Sequence, residues 1–183
     1  HTAGTISIIG TLDNTGATVN VGTGSALGAV VLAATGAIKN GTIRDGGSGL
    51  TFAGNVVSSA ATLDGVAYQG TLDLSPDNSA VIIKNGIAFS GLDGTGSATV
   101  QLGNSSAIGI SSDMTLDNAT ISKGNPSFLG STIRIGNHVV TLGSHLTINH
   151  TGASAGGLAF ADSELSFSDH IEGGTLINAG TIN

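Results

Sequence analysis

The chain has 183 residues, a formal net charge of −7, 9% charged positions, 30 glycines and no cysteine. Five Lys plus Arg are too few to displace the counterions of a phosphate backbone, so nucleic acid is set aside, and an anionic membrane surface is disfavoured for the same reason. No apolar run approaches the roughly 20 residues of a membrane span, and the absence of Cys removes disulfide scaffolds and thiolate metal sites.

With one Tyr, five Phe and no Trp, the interior has to be filled by Val, Ile, Leu and Ala. Apolar residues recur with a period of two in short bursts. These are TISI at 5–8, ATVNV at 17–21, TLDL at 71–74, ATVQL at 98–102, TIRI at 132–135 and LSF at 165–167. Such alternation predicts strands with one buried face. The segment GAVVLAAT at 28–35 is too short and too β-branched for a helix and is predicted to be a buried strand. Pro76 (in SPDN) and Pro126 (in GNPS) fall in predicted turns or outward loops.

A short template returns along the chain: an aliphatic residue, a spacer, Asn, then small residues leading to another aliphatic. It opens at Leu12, Ile38, Leu63 (with Gly65 in place of Asn), Ile83, Leu116 and Leu176. The spacings are 26, 25, 20, 33 and 60 residues, the last taken as two periods, and Ile148-Asn149 falls out of phase. A period of this size fits one turn of a three-sided solenoid. The predicted fold is therefore all-β, a parallel β-helix of about seven or eight rungs and about 35–40 Å, forming one segment over residues 1–183. A single rung cannot offset the conformational entropy of its backbone, so stacking is obligatory. Asn14, Asn40, Asn85, Asn118 and Asn178 are the structural candidates. Asn tolerates the left-handed backbone conformation, and stacked Asn amides can pair into a ladder. The alternative is that they mark unrelated surface turns.

The phrases ATLDGVAYQGTLDLS (61–75), NGIAFSGLDGTGSATVQLG (85–103), MTLDNATIS (114–122) and GGTLINAGTIN (173–183) resemble the strand-repeat texture of large bacterial exoproteins. These are the filamentous haemagglutinins and autotransporter passenger adhesins. The resemblance implies a right-handed parallel β-helix, exported to the bacterial cell surface and used as a stalk, fibre, adhesin or surface layer. It also implies a segment of a longer protein, because the NPNG- or NPNL-like motif of the amino-terminal secretion module is not matched by Asn125-Pro126-Ser127.

Enzymes share this scaffold, so chemistry needs its own test. The NTD, DD, GHG and RIK motifs of polygalacturonase-type hydrolases do not occur. Asp64, Asp73 and Asp117 are candidate carboxylates across rungs, with exposed turn or strand positions as the plainer expectation. His138, His145 and His150, with Asp162 or Asp169, match no compact metal spacing. The sequences DGGSG at 45–49 and DGTG at 93–96 only echo a calcium-binding repeat. Phe52, Phe89, Phe128, Phe160 and Phe167 are expected to pack in or against the core. No Thr-x-Thr triplet exists, which argues against a threonine array for ice.

The expected function is non-catalytic and structural or adhesive, in an extracellular setting, without cofactor or metal. Expected contacts are self-association, other surface proteins or host glycans, through loops near residues 76–78 and 123–126. The alternatives are a carbohydrate-active β-helix enzyme, marked by carboxylates gathered in one groove, and an ice- or surface-binding solenoid, marked by one flat, regular polar face.

Overall fold

The computed structural model describes residues 5–53, 59–123, 130–150, 157–161 and 174–183. Strands β1 (Ile6–Ile8), β2 (Thr11–Asp13) and β3 (Thr18–Val21) form one turn, with one strand on each of three walls. The next turn repeats the order with β4 (Val30–Leu32), β5 (Ala37–Lys39) and β6 (Thr42–Asp45), each paired in parallel with its predecessor. After β7 (Leu50–Phe52) on the first wall, β8 (Ala61–Leu74) runs unbroken through three walls. Its residues 61–64 lie on the second wall, 66–69 on the third and 71–74 on the first.

β9 (Ala80–Ser90) bends likewise across the second and third walls. Two shorter-stranded turns follow: β10 (Ala98–Leu102), β11 (Ala107–Ile110) and β12 (Met114–Leu116), then β13 (Ala119–Lys123), β14 (Ser131–Arg134) and β15 (Val139–Leu142). The last turn is β16 (Thr147–His150), β17 (Leu158–Ala161) and β18 (Thr175–Asn178), and β19 (Thr181–Ile182) begins another.

The fold is a parallel β-solenoid in which seven strands, β2, β5, β8, β9, β11, β14 and β17, stack on the second wall, within the seven or eight rungs expected. Six parallel steps separate β2 from β17 on the second wall, a rise of roughly 29 Å at about 4.8 Å per step. The burst at 165–167 lies outside the described residues.

Alternation along each strand sends one set of side chains inward. Leu72, Val100, Ile121, Ile148 and Ile182 stack on the first wall. Leu12, Ile38, Leu63, Ile83 and Ile110 stack on the second. Val19, Ile43, Tyr68 and Phe89 stack on the third, where the two rings meet edge-on at 6.5 Å between centroids. Away from the ends these columns are buried and form a single core, each aliphatic contributing about 1.5–3 kcal/mol.

The first four template positions, Leu12, Ile38, Leu63 and Ile83, are in register. Leu116 and Leu176 are not: both lie on the third wall, opposite Leu142 and Val140 respectively. The template slips by one wall at the 33-residue gap. There, Ile110 takes the place above Ile83 that Leu116 was expected to fill.

Phe52 and Phe89 are buried in the core and Phe160 packs against it, whereas Phe128 and Phe167 lie outside the described residues.

Candidate functional site

The corners between walls carry the polar chemistry. Asn40, Gly65 and Asn85 follow the register-matched Lys39, Asp64 and Lys84 and turn the corner from second to third wall. All three are left-handed, with φ of 58°, 62° and 54°. Asn and Gly reach that conformation at low cost, which explains why Gly65 replaces Asn in the template. Asn14 occupies the same corner one turn earlier without a positive φ; it is buried, and its amide donates to the Thr42 carbonyl at 3.0 Å.

The amides of this stack bond to neighbours other than Asn. Asn40 Nδ2 donates to Thr15 Oγ1 at 2.9 Å, and Asn85 Nδ2 donates to Asp64 Oδ1 at 2.7 Å. Asn118 turns a different corner, third to first wall, with φ 54° and its amide on the carbonyls of Phe89 (2.8 Å) and Gly96 (2.9 Å). Asn178 accepts the Gly180 N–H at 3.0 Å and stands in register with Leu142. The five Asn thus occupy two kinds of corner. An amide-to-amide bond between turns joins Asn183 Nδ2 to Asn149 Oδ1 at 2.9 Å, at the position the repeat had left out of phase.

A buried carboxylate sits where DGGSG begins. Asp45 ends β6 fully buried. Its Oδ1 accepts the N–H groups of Gly47 (2.9 Å) and Gly49 (3.0 Å), and its Oδ2 accepts the Leu50 N–H (2.9 Å) and the Tyr68 hydroxyl (2.8 Å). Four donors from the chain satisfy this carboxylate. Burial, then the charge and hydrogen bond of Asp45, raise the Tyr68 phenol well above its ordinary range. Asp93 in DGTG stays exposed and accepts the Thr95 N–H and hydroxyl, both at 2.9 Å.

At the first-to-second-wall corner, Ser79, Ser106 and Ser131 are buried in consecutive turns. Ser106 Oγ accepts the Gly103 N–H at 2.9 Å and donates to the Leu74 carbonyl at 2.7 Å, while Ser131 Oγ donates to the Gly103 carbonyl at 2.6 Å. The sequence carries this signal in SAVI, SAIG and STIR, each a Ser before a small residue and an inward aliphatic.

The candidate carboxylates are dispersed. Asp64 is on the second wall, Asp73 on the first beside Gln101, and Asp117 at the corner after β12. Asp64 meets Lys39 Nζ at 3.7 Å. His138 Nδ1 lies 3.5 Å from Asp113, and His145 Nδ1 lies 3.4 Å from Asp117. Burial works against the charged form of Asp117, yet the N–H groups of Asn118 and His145 hold its carboxyl below the usual range. His150 pairs in register with Lys123 on the first wall; Asp162 and Asp169 lie outside the described residues. Among the described residues, no three His, Asp or Glu come together as metal ligands. Lys123 corrects one expectation. It takes the next inward position after Ala119 and Ile121 and is fully buried, so it is no part of an outward loop, while residues 124–126 of the loop expected there lie outside the described residues. Pro76, Asp77 and Asn78 are exposed, as a loop should be.

The outward surfaces differ between walls. On the second, Asp13, Lys39, Asp64 and Lys84 alternate in sign from turn to turn. On the first, Thr71, Thr99, Thr120, Thr147 and Thr181 occupy one register position in five successive strands. Beside them run Asp73, Gln101, Ser122 and Asn149. The class defined by these features is a parallel β-solenoid with a dry core and polar corners. No family model, no curated protein and no solved structure matches the chain.

Proposed function

We propose that the chain is a non-catalytic structural and adhesive segment of an extracellular bacterial β-solenoid, of the kind that filamentous haemagglutinins and autotransporter passengers resemble. The observation that carries this reading is the parallel stack itself, whose pairing runs without a break along the second wall. One core runs through all three walls, while Asp64, Asp73 and Asp117 are spread over separate walls and corners, Asp64 being buried against Lys39 and Asn85. A stack of this kind separates its ends by rigid backbone pairing and presents loops such as Ser75-Pro76-Asp77-Asn78 at its corners. Contacts with itself, with other surface proteins or with host glycans go through those loops.

The test is to display the chain on beads and measure bead clustering and adherence to glycan-coated surfaces, alongside release of sugar ends from acidic polysaccharides. Adherence that falls when residues 76–78 are replaced, with no depolymerisation, supports the reading. Depolymerisation that disappears with Asp64→Asn or Asp117→Asn contradicts it and favours the enzyme.

A further inference from the structure

We infer that the first wall is a binding surface for an ordered water lattice, that is, for a face of ice. This is a function separate from the structural role above. The five threonines that stack in register are separated by 28, 21, 27 and 34 residues along the chain, so no local motif announces them. Parallel pairing brings them into a straight column with about 4.8 Å between neighbours and about 19 Å from first to last. Each lies on the outward side of its strand, as Thr99 does between the inward Ala98 and Val100 and Thr120 between the inward Ala119 and Ile121. Each remains at least partly exposed.

Threonine offers a methyl and a hydroxyl from one stiff, β-branched side chain. Repeated at a fixed interval on a pleated wall, these groups make a flat array with its own translation period. A free sugar or peptide carries its own internal geometry and needs convergent groups to be oriented. A rigid repeat of small hydroxyl and methyl groups fits a partner that is itself a repeat, namely water held in a lattice. The companion column, two residues further along each strand, stands roughly 6.6 Å away. Its members Gln101, Ser122 and Asn149 are neutral, and Asn149 is tied to Asn183 in the next turn by the 2.9 Å amide bond.

Charge separates this wall from its neighbour. An ion orients its own hydration shell, and removing that shell without a partner is costly. The second wall carries four charges in register, whereas among the described outward positions on this stretch of the first only Asp73, in the earliest of the five strands, is charged, Lys123 being turned inward and buried. Cross-strand Thr pairs also stabilise a sheet, by roughly 0.2–1 kcal/mol each, so the experiment has to separate binding from stability.

Wild-type chain, Thr120→Lys and Gln101→Lys are compared for incorporation into slowly growing ice and for thermal hysteresis, with circular dichroism and unfolding midpoints measured on each. Gln101 is exposed, so its variant keeps the test open if Thr120→Lys folds poorly. The wild type is expected to enter the ice. Each charge variant is expected to fall by about tenfold or more at an unchanged midpoint, since contact would bury an unpaired ammonium. Lys39→Ala, on the charged wall, is expected to match the wild type. Exclusion of the wild type from ice overturns the inference. So does equal incorporation of a folded charge variant, or adsorption to crystalline polysaccharide without entry into ice.

Discussion

Asp45 and Tyr68 show how a solenoid corner accommodates charge. A carboxylate in a dry interior is costly unless hydrogen bonds replace its hydration, and here three backbone N–H groups and a phenol do so. Tyr68→Phe removes one donor from a buried ion and should lower stability by about 1–3 kcal/mol in denaturant unfolding. The same pair sets an alkaline limit. The folded phenol is held well above its ordinary value, while in the unfolded chain it ionises near pH 10. Below pH 10 the tyrosine is neutral in both states and stability is unaffected; above it the unfolded state alone gains by losing the proton, so stability falls as pH rises. The chain has one Tyr and no Trp, so tyrosinate absorbance reports this titration cleanly, and Tyr68→Phe should flatten the alkaline loss. Gly70, with φ 105°, crosses the Asp45 carbonyl so closely that a β-carbon has no room. Gly70→Ala should cost about 3 kcal/mol or more, read as a lower unfolding midpoint.

At the level of strands and corners, the serine column reinforces backbone pairs already made: the Gly103 N–H donates to the Leu74 carbonyl at 2.8 Å, and Ser106 Oγ bonds to both groups. Ser106 both donates and accepts where Gly103 and Leu74 approach. Ser106→Ala removes the second partner of a buried N–H and of a buried carbonyl that still bond to each other, and should cost about 0.5–1.5 kcal/mol. Hydrogen exchange at Gly103 should quicken, whereas a change confined to distant turns would contradict this role. Much of the element pattern was legible in the sequence. Period-two alternation located β1, β3, β10 and β14, and the Asn template placed Leu12, Ile38, Leu63 and Ile83 in one column because left-handed corners select Asn or Gly. The slip at Leu116 was not legible, because two corners use Asn and the template does not say which. The buried Asp45 was hidden as well, since its first three partners are backbone groups and its fourth, Tyr68, lies 23 residues away.

For the whole molecule, the decisive property is translation along one axis. Three walls share a core, and what each presents outward is set by register rather than by local sequence. Alternating charge on one wall and threonine on another therefore appear only after stacking. Composition alone had indicated a narrow aliphatic interior and few cations, and both follow from residue counts. The threonine column escaped notice because its members lie 21 to 34 residues apart at irregular intervals.

The central claim is that residues far apart in the chain lie one above another at a constant rise. With no native cysteine, spin labels can be placed in pairs by Thr71→Cys combined with Thr120→Cys, Thr147→Cys or Thr181→Cys. Distances that lengthen by about 4.8 Å with each added turn are predicted, although 110 residues separate the outermost pair. Distances that fail to increase in this order, or that scatter as in facing sheets or hairpins, would contradict the stacked coil.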